Sequence, residues 1–345
     1  QLVVVSVVVS ATATTVTFTG DGSDDTLYLQ VNASGELEYS EDGSNWINDL
    51  DSATGVQTHV INFDSLIIVN LGNGNDTLFI DATLSDTITG ATNNDPEDLL
   101  QALLDYDGGA DTSGDTLVGP DIDSSWEIND INTGALNSFI NFVNVESLTG
   151  GAAQDDFIFG YDPDTEGDPV TPVTGSITGQ IDAGDGRDSL DYSSYIIPVT
   201  VDIGAGLAEG TAAAINFEII VGGTDAGDTL IGPAIDSVWR VENANAGIIE
   251  IAVVDSEGYE FKDIENLVGS DSFSDGFVFE FEGTLKGTIS GGSGTGDTLV
   301  VQQADVDELA PYTVVSADET LGSHPLLLHS KTINYENLES VVSGD

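Results

Sequence analysis

Apolar residues along this chain fall into short runs, each closed off by glycine and aspartate. Asp25-Thr-Leu-Tyr-Leu29 and Asp76-Thr-Leu-Phe-Ile80 alternate or enrich β-formers in the manner of strands, as does Pro198-Val-Thr-Val-Asp-Ile203. Pairs such as Gly108-Gly109 and Gly291-Gly292 fit turns where the backbone needs positive φ. One helix is predicted over 96–105. Asp95 is its cap, Pro96 its first helical residue, Glu97 and Asp98 suit its positive end, and Leu99 to Leu104 continue it. The fold class expected is all-β, in modules of short strands, with a parallel β-solenoid favoured over an antiparallel β-sandwich.

The punctuation repeats on a longer scale. Ser113-Gly-Asp-Thr-Leu-Val-Gly-Pro, running on to Trp126-Glu-Ile128, aligns without a gap on Ala226-Gly-Asp-Thr-Leu-Ile-Gly-Pro, running on to Trp239-Arg-Val241. Val145-Glu-Ser-Leu-Thr-Gly150 matches Ile264-Glu-Asn-Leu-Val-Gly269, and Asp156-Phe-Ile-Phe159 matches Gly276-Phe-Val-Phe279. A period of this length marks stacked supersecondary units. The predicted organisation is an N-terminal β unit over 1–105, repeat modules over 106–221 and 222–332, and the start of a third repeat over 333–345. That last segment echoes residues 215–223.

Charge narrows the functions available. Asp plus Glu number 61 against 5 Lys plus Arg, for a formal net charge of −56. Nucleic acid and anionic membranes are therefore not expected partners, since both need basic patches. A compact fold at this charge needs counter-ions, either diffuse salt or bound divalent cations. An acidic surface of this kind also fits a high-salt habitat. The 40% hydrophobic content argues against disorder. With no cysteine, disulfides, thiolate metal sites and cysteine nucleophiles are excluded. A chain with no methionine that opens on Gln1 is expected to have a processed terminus. No apolar run reaches the length of a membrane span, so no membrane insertion is expected.

Six segments share a glycine-rich lead into Asp-Thr/Ser-Leu, around Asp25, Asp76, Asp115, Asp188, Asp228 and Asp297. Such a turn offers inward carbonyl oxygens and a carboxylate, the mixed oxygen set that calcium takes. The bland reading is that the carboxylate simply accepts backbone N–H bonds and ends the turn. Leu71-Gly-Asn-Gly-Asn-Asp76-Thr-Leu78 and Ala183-Gly-Asp-Gly-Arg-Asp188-Ser-Leu190 resemble the G-G-x-G-x-D-x-U-x nonapeptides of RTX-type, hemolysin-like calcium-binding proteins. Together with Asn334 to Leu338 and Asp191 to Ser193, the long repeat resembles the tandem modules of very large bacterial surface and adhesin-like proteins. The likeness covers most of residues 60–345. It implies calcium held by Gly72, Gly74 and Asp76 and by Ala183, Gly184, Gly186 and Asp188, with Asp115, Asp228 and Asp297 as further ligands. Both best segments depart from the motif at its first glycine, and none recurs as an immediate tandem.

No catalytic constellation stands out, and an enzyme is not expected. His59, His324 and His329 lack zinc-ligand spacing, and Lys262, Lys286, Lys331, Arg187 and Arg240 are too scattered to clamp a polysaccharide. Trp126 and Trp239 share one repeat position, which fits recurrent core packing, with carbohydrate stacking as the alternative. Leu2, Val3, Val4, Val5, Val7, Val8 and Val9 form a strand apolar on both faces. It is read either as an internal strand or as one donated to a neighbouring copy, a head-to-tail contact that builds a fibre. The function expected is that of a secreted or cell-surface structural protein, cation-stabilised and self-assembling into a filament, sheath or layer. The alternative is an adhesin stalk or a calcium-dependent carbohydrate-binding module.

Overall fold

The computed structural model describes residues 7–12, 14–50, 56–62, 65–85, 104–110, 114–162, 173–251, 258–280, 282–302, 313–316, 332–338 and 340–344. The protein is nearly all β, and its strands pair mostly in parallel. It divides into two compact units. The first comprises Gln1–Asp188 with Gly210–Asn216, the second Ser189–Glu209 with Phe217–Asp345.

In the first unit, one sheet runs Thr15–Thr19, Leu66–Asn70, Leu104–Asp107 and Ile140–Val143, all parallel. A second sheet runs Thr26–Val31, Thr77–Ile80, Thr116–Val118, Ser147–Thr149, Ile177–Asp182 and Thr211–Ile215, again parallel. The chain alternates between the sheets, so each passage is one coil of a solenoid-like stack. The Leu of every Asp-Thr/Ser-Leu turn points inward. Leu27, Leu78, Leu117 and Leu148 are register partners and fully buried. Facing them, Phe18, Val69, Tyr106 and Phe142 form an equally buried row on the first sheet. Burying each such side chain contributes roughly 1.5–3 kcal/mol. At the N-terminal edges, Val8–Ala11 and Leu37–Ser40 pair antiparallel with Thr15–Thr19 and Thr26–Val31 and cover them.

The second unit repeats this plan. Thr200–Asp202, Thr229–Ile231, Asn266–Val268, Thr288–Ser290 and Thr332–Glu336 are parallel, with Val201, Leu230, Leu267, Ile289 and Tyr335 in register inside. Each long repeat also carries an antiparallel excursion within its first sheet. Ser124–Asp130 pairs with Thr133–Leu136, which pairs with Ile140–Val143. Likewise Ser237–Asn243 pairs with Ala246–Ile251, which pairs with Tyr259–Lys262. The repeated tryptophans sit on the first strand of these excursions. Each stacks on a phenylalanine one coil on, Trp126 on Phe157 at 5.1 Å and Trp239 on Phe277 at 5.4 Å.

The expected helix over 96–105 needs correction at its end. Residues 96–103 lie outside the described ones, but Leu104–Asp107 is a strand. Leu104 and Tyr106 are buried while Asp105 is exposed, the period-two pattern of a residue run flanked by parallel neighbours on both sides. The helical residues described are 82–85, a single turn capped by Asp81, whose Oδ1 accepts the Thr83 N–H at 2.8 Å.

Candidate functional site

Every Gly-rich lead ends on an aspartate at a corner between strands, and these corners stack. Asp25, Asp76, Asp115, Asp155, Asp188, Asp228, Asp275 and Asp297 are each at most 1% exposed. Carboxylates are seldom buried to this degree unless bonded. Here the partner is the next coil. The Asp25 N–H donates to Oδ1 of Asp76 at 2.7 Å, and the Asp76 N–H to Oδ1 of Asp115 at 2.8 Å. The Asp115 N–H donates to Oε2 of Glu146 at 3.0 Å, and the Asn132 amide closes the column on Oε1 at 2.9 Å.

The second unit builds the same column from other residues. The Val199 N–H donates to Oδ1 of Asp228, the Asp228 N–H to Glu265, and the Asn245 amide to the far oxygen of Glu265 at 2.6 Å. Asn132 and Asn245 both adopt left-handed backbone, φ 53° and 54°, which Asn tolerates better than most residues. A second column stands where strands of the first sheet begin. In the first unit the Asp155 N–H donates to Oδ1 of Asp188 at 2.8 Å, and in the second the Asp275 N–H donates to Oδ1 of Asp297 at 2.9 Å. The indoles of Trp126 and Trp239 donate to Oδ1 of Asp155 and Asp275.

The glycines explain themselves on this geometry. Oδ2 of Asp25, Asp155 and Asp275 accepts the N–H of Asp21, Gly151 and Ser270, each the residue after a glycine. A Cβ on Gly20, Gly150 or Gly269 would come within 2.7 Å of that same carboxylate. Turns also press on one another. Gly109 has φ +126°, and a Cβ there would lie 1.7 Å from the Gly72 carbonyl oxygen of the preceding turn. The two motif-like segments share one backbone form. Gly72 and Gly74 have φ +97° and +136°, and Gly184 and Gly186 have +94° and +144°.

Burial without a counter-charge raises proton affinity. Burial lifts Asp155 to about 6, against the bonds from Trp126 and Gly151 that lower it. Asp228, Asp275 and Glu265 are raised for the same first reason. The Tyr106 hydroxyl, buried beside Asp115 and Asp76, is pushed well above its usual range, by burial first and then by those charges.

The ten residues expected at metal sites are thus placed as follows. Gly72, Gly74 and Asp76 stack with Asp115 in one column, and Ala183, Gly184, Gly186 and Asp188 lie in another with Asp155. Asp228 pairs with Glu265 and Asp297 with Asp275. The Oδ1 atoms of Asp76, Asp115, Asp188 and Asp297 each accept a backbone N–H. Oδ1 of Asp25 is buried without a hydrogen-bond partner. Among the described residues, no group of three or more His, Cys, Asp or Glu side chains could hold a metal ion. Sequence reasoning missed Glu146, Glu265, Asp155 and Asp275. The signal for the last two lay in the repeat alignment, five or six residues after Gly150 and Gly269.

Other candidates resolve simply. His59 is buried, with Nε2 3.1 Å from the Ser65 hydroxyl, while His324 and His329 lie outside the described residues. Trp126 and Trp239 are fully buried, so neither indole can stack on a sugar. Of the predicted assembly strand, Leu2, Val3, Val4 and Val5 lie outside the described residues. Val7 is buried, and Val8 and Val9 pair within the chain with Thr19 and Phe18. Among the described residues no helix is long and apolar enough to cross a membrane. No family model, curated protein or solved structure matches this chain.

Proposed function

We propose that this chain is a non-enzymatic structural segment of an extracellular or cell-surface protein, an acidic β-repeat that assembles head-to-tail with further copies. The observation that carries the reading is the columnar bonding. Each coil donates an N–H to a buried carboxylate of the next coil, so the same interface recurs along each unit. Such an arrangement extends by adding coils, and side chains presented for chemistry play no part in it. Ser340–Gly344 pairs with Thr298–Gln302 on one edge and, among the described residues, with no strand on the other. An open parallel edge is a template for another chain. The apolar residues Leu2 to Val5, which precede the internally paired Val8 and Val9, are the segment to fill it.

Calcium or another divalent cation enters this reading as counter-charge. Its supports are the −56 net charge, the buried carboxyl columns and the likeness of the turns at Asp76 and Asp188 to RTX-type repeats. The carbohydrate-binding alternative loses Trp126 and Trp239 as stacking residues, since both are fully buried. Electron microscopy and sedimentation of the full chain, with calcium and with chelator, test the proposal. Calcium-promoted filaments are expected, and removal of residues 1–10 should abolish them. Filaments retained after that deletion sink strand donation, and monomers under every condition sink the polymer.

A further inference from the structure

The outer face of the first unit's second sheet holds an open groove of about 340 Å³, lined by Tyr28, Trp46, Phe79, Asp81, Val118 and Asp121 among others. Its floor is an outward row that the strand register lines up, Tyr28 beside Phe79 beside Val118. The Tyr28 and Phe79 rings stack with centroids 4.2 Å apart and planes 9° from parallel. All three side chains remain part-exposed, as does Trp46.

Trp46 is delivered by a loop that is fixed before any ligand arrives. Asp42 accepts the N–H groups of Ser44 and Asn45 on one oxygen and the Asn45 amide on the other. Those bonds hold its carboxyl well below the usual range, Asn45 first among them. Ile47, next after Trp46, exchanges two backbone bonds with Tyr39. Gly43 lies on the Tyr28 ring, where a Cβ would sit 3.3 Å from the ring carbons. A preorganised wall of this kind loses little entropy on binding.

A groove on the outer sheet face of the second unit shares only part of this lining by the repeat alignment. Ile231, Gly232 and Ala234 stand where Val118, Gly119 and Asp121 stand, and the acidic side chains are Asp202 and Asp271. Among the described residues Phe273 is the aromatic that lines it, with no Tyr, Trp or stacked pair. The aromatic set is therefore not a consequence of the repeat.

We infer that the Tyr28–Trp46–Phe79 groove binds an organic cation, a methylated ammonium group of the choline or trimethyl-lysine class. Part-exposed Trp46 supplies the aromatic surface for the charge, and the stacked Tyr28–Phe79 pair supplies apolar contact for the methyl groups. Exposed Asp81 and Asp121 supply charge, no Lys, Arg or His among the described residues lines the groove, and the −56 net charge repels anions and attracts cations. A neutral saccharide would gain from the rings but nothing from that field. This site is independent of the proposed assembly role.

Tryptophan fluorescence of the full chain tests it directly. Of the 3 tryptophans, Trp126 and Trp239 are fully buried, so Trp46 is the residue a groove ligand reports on. Choline chloride titrated at constant ionic strength against KCl should change the emission saturably. Trp46→Phe should remove that response. By calorimetry, Asp121→Asn and Phe79→Ala should each weaken choline about five-fold. Asp121 is exposed, so its variant keeps the test open if Phe79→Ala unfolds. A response no greater than KCl alone gives overturns the inference. So does saturation by methyl glucoside with choline silent, or unchanged choline affinity in Asp121→Asn and Trp46→Phe together.

Discussion

Replacing Asp76 separates the two roles its carboxylate can have. Oδ1 accepts the N–H of Asp25 at 2.7 Å, and both residues are fully buried. Asp76→Ala leaves that N–H without a partner and out of reach of water. A buried donor stripped of a charged acceptor costs about 2–3 kcal/mol. For a unit of this size each kcal/mol moves the midpoint by roughly 2–4 °C, so the melt should fall by about 4–12 °C. Asp76→Asn keeps an oxygen of the same reach and removes the charge. If the column is a set of hydrogen bonds, Asn should stay within about 1 kcal/mol of the parent. If instead the carboxylate holds a cation, Asn should cost as much as Ala, and the parent alone should gain stability from calcium. Melts of the three proteins by circular dichroism, each in calcium and in chelator, decide between them. An Ala variant as stable as the parent would refute the columnar account altogether.

Stability should also vary with pH through Asp155. Its folded value of about 6 stands above the ordinary 3.8, so the folded state keeps a proton that the unfolded chain has lost between those values. Its contribution is thus fully present below 3.8 and lost as pH rises through 6, a change of up to about 3 kcal/mol. Urea denaturation from pH 4 to 7 should show this fall, and Asp155→Asn should be flatter than the parent by that amount; equal slopes would count against it. Gly109→Ala should destabilise by at least about 3 kcal/mol, since its Cβ meets the Gly72 carbonyl at 1.7 Å and its φ is +126°. Gly22→Ala, where nothing lies within 4 Å, should be nearly neutral in the same melt. Trp126→Phe strips Asp155 of its indole donor and should cost about 1–3 kcal/mol.

The local pattern was sufficient for much of this. Alternation at Thr26–Val31 and Thr77–Ile80 specifies strands because one face must be buried. The gapless match from Ser113 to Ile128 with Ala226 to Val241 specifies a repeat. Asp-Thr/Ser-Leu after glycines specifies a turn, since glycine supplies the φ and Leu the anchor. At Leu104 the helix reading misled, because the signals at Asp95 and Pro96 are local. The strand at Leu104 is set by neighbours at Ile67 and Ile140.

What the tertiary structure decided is which carboxylate meets which N–H. Asp25 finds Asp76 51 residues on, Asp76 finds Asp115 39 on, and Asp115 finds Glu146 31 on. Coils of unequal length leave no fixed spacing to read. The partner is chosen by the hydrogen-bond register of stacked strands, and Glu can replace Asp where the corner changes form. Burial of Trp126 and Trp239 follows from the same stacking. Composition and motif show that acidic turns exist, and only the stack of coils determines that they bond to one another.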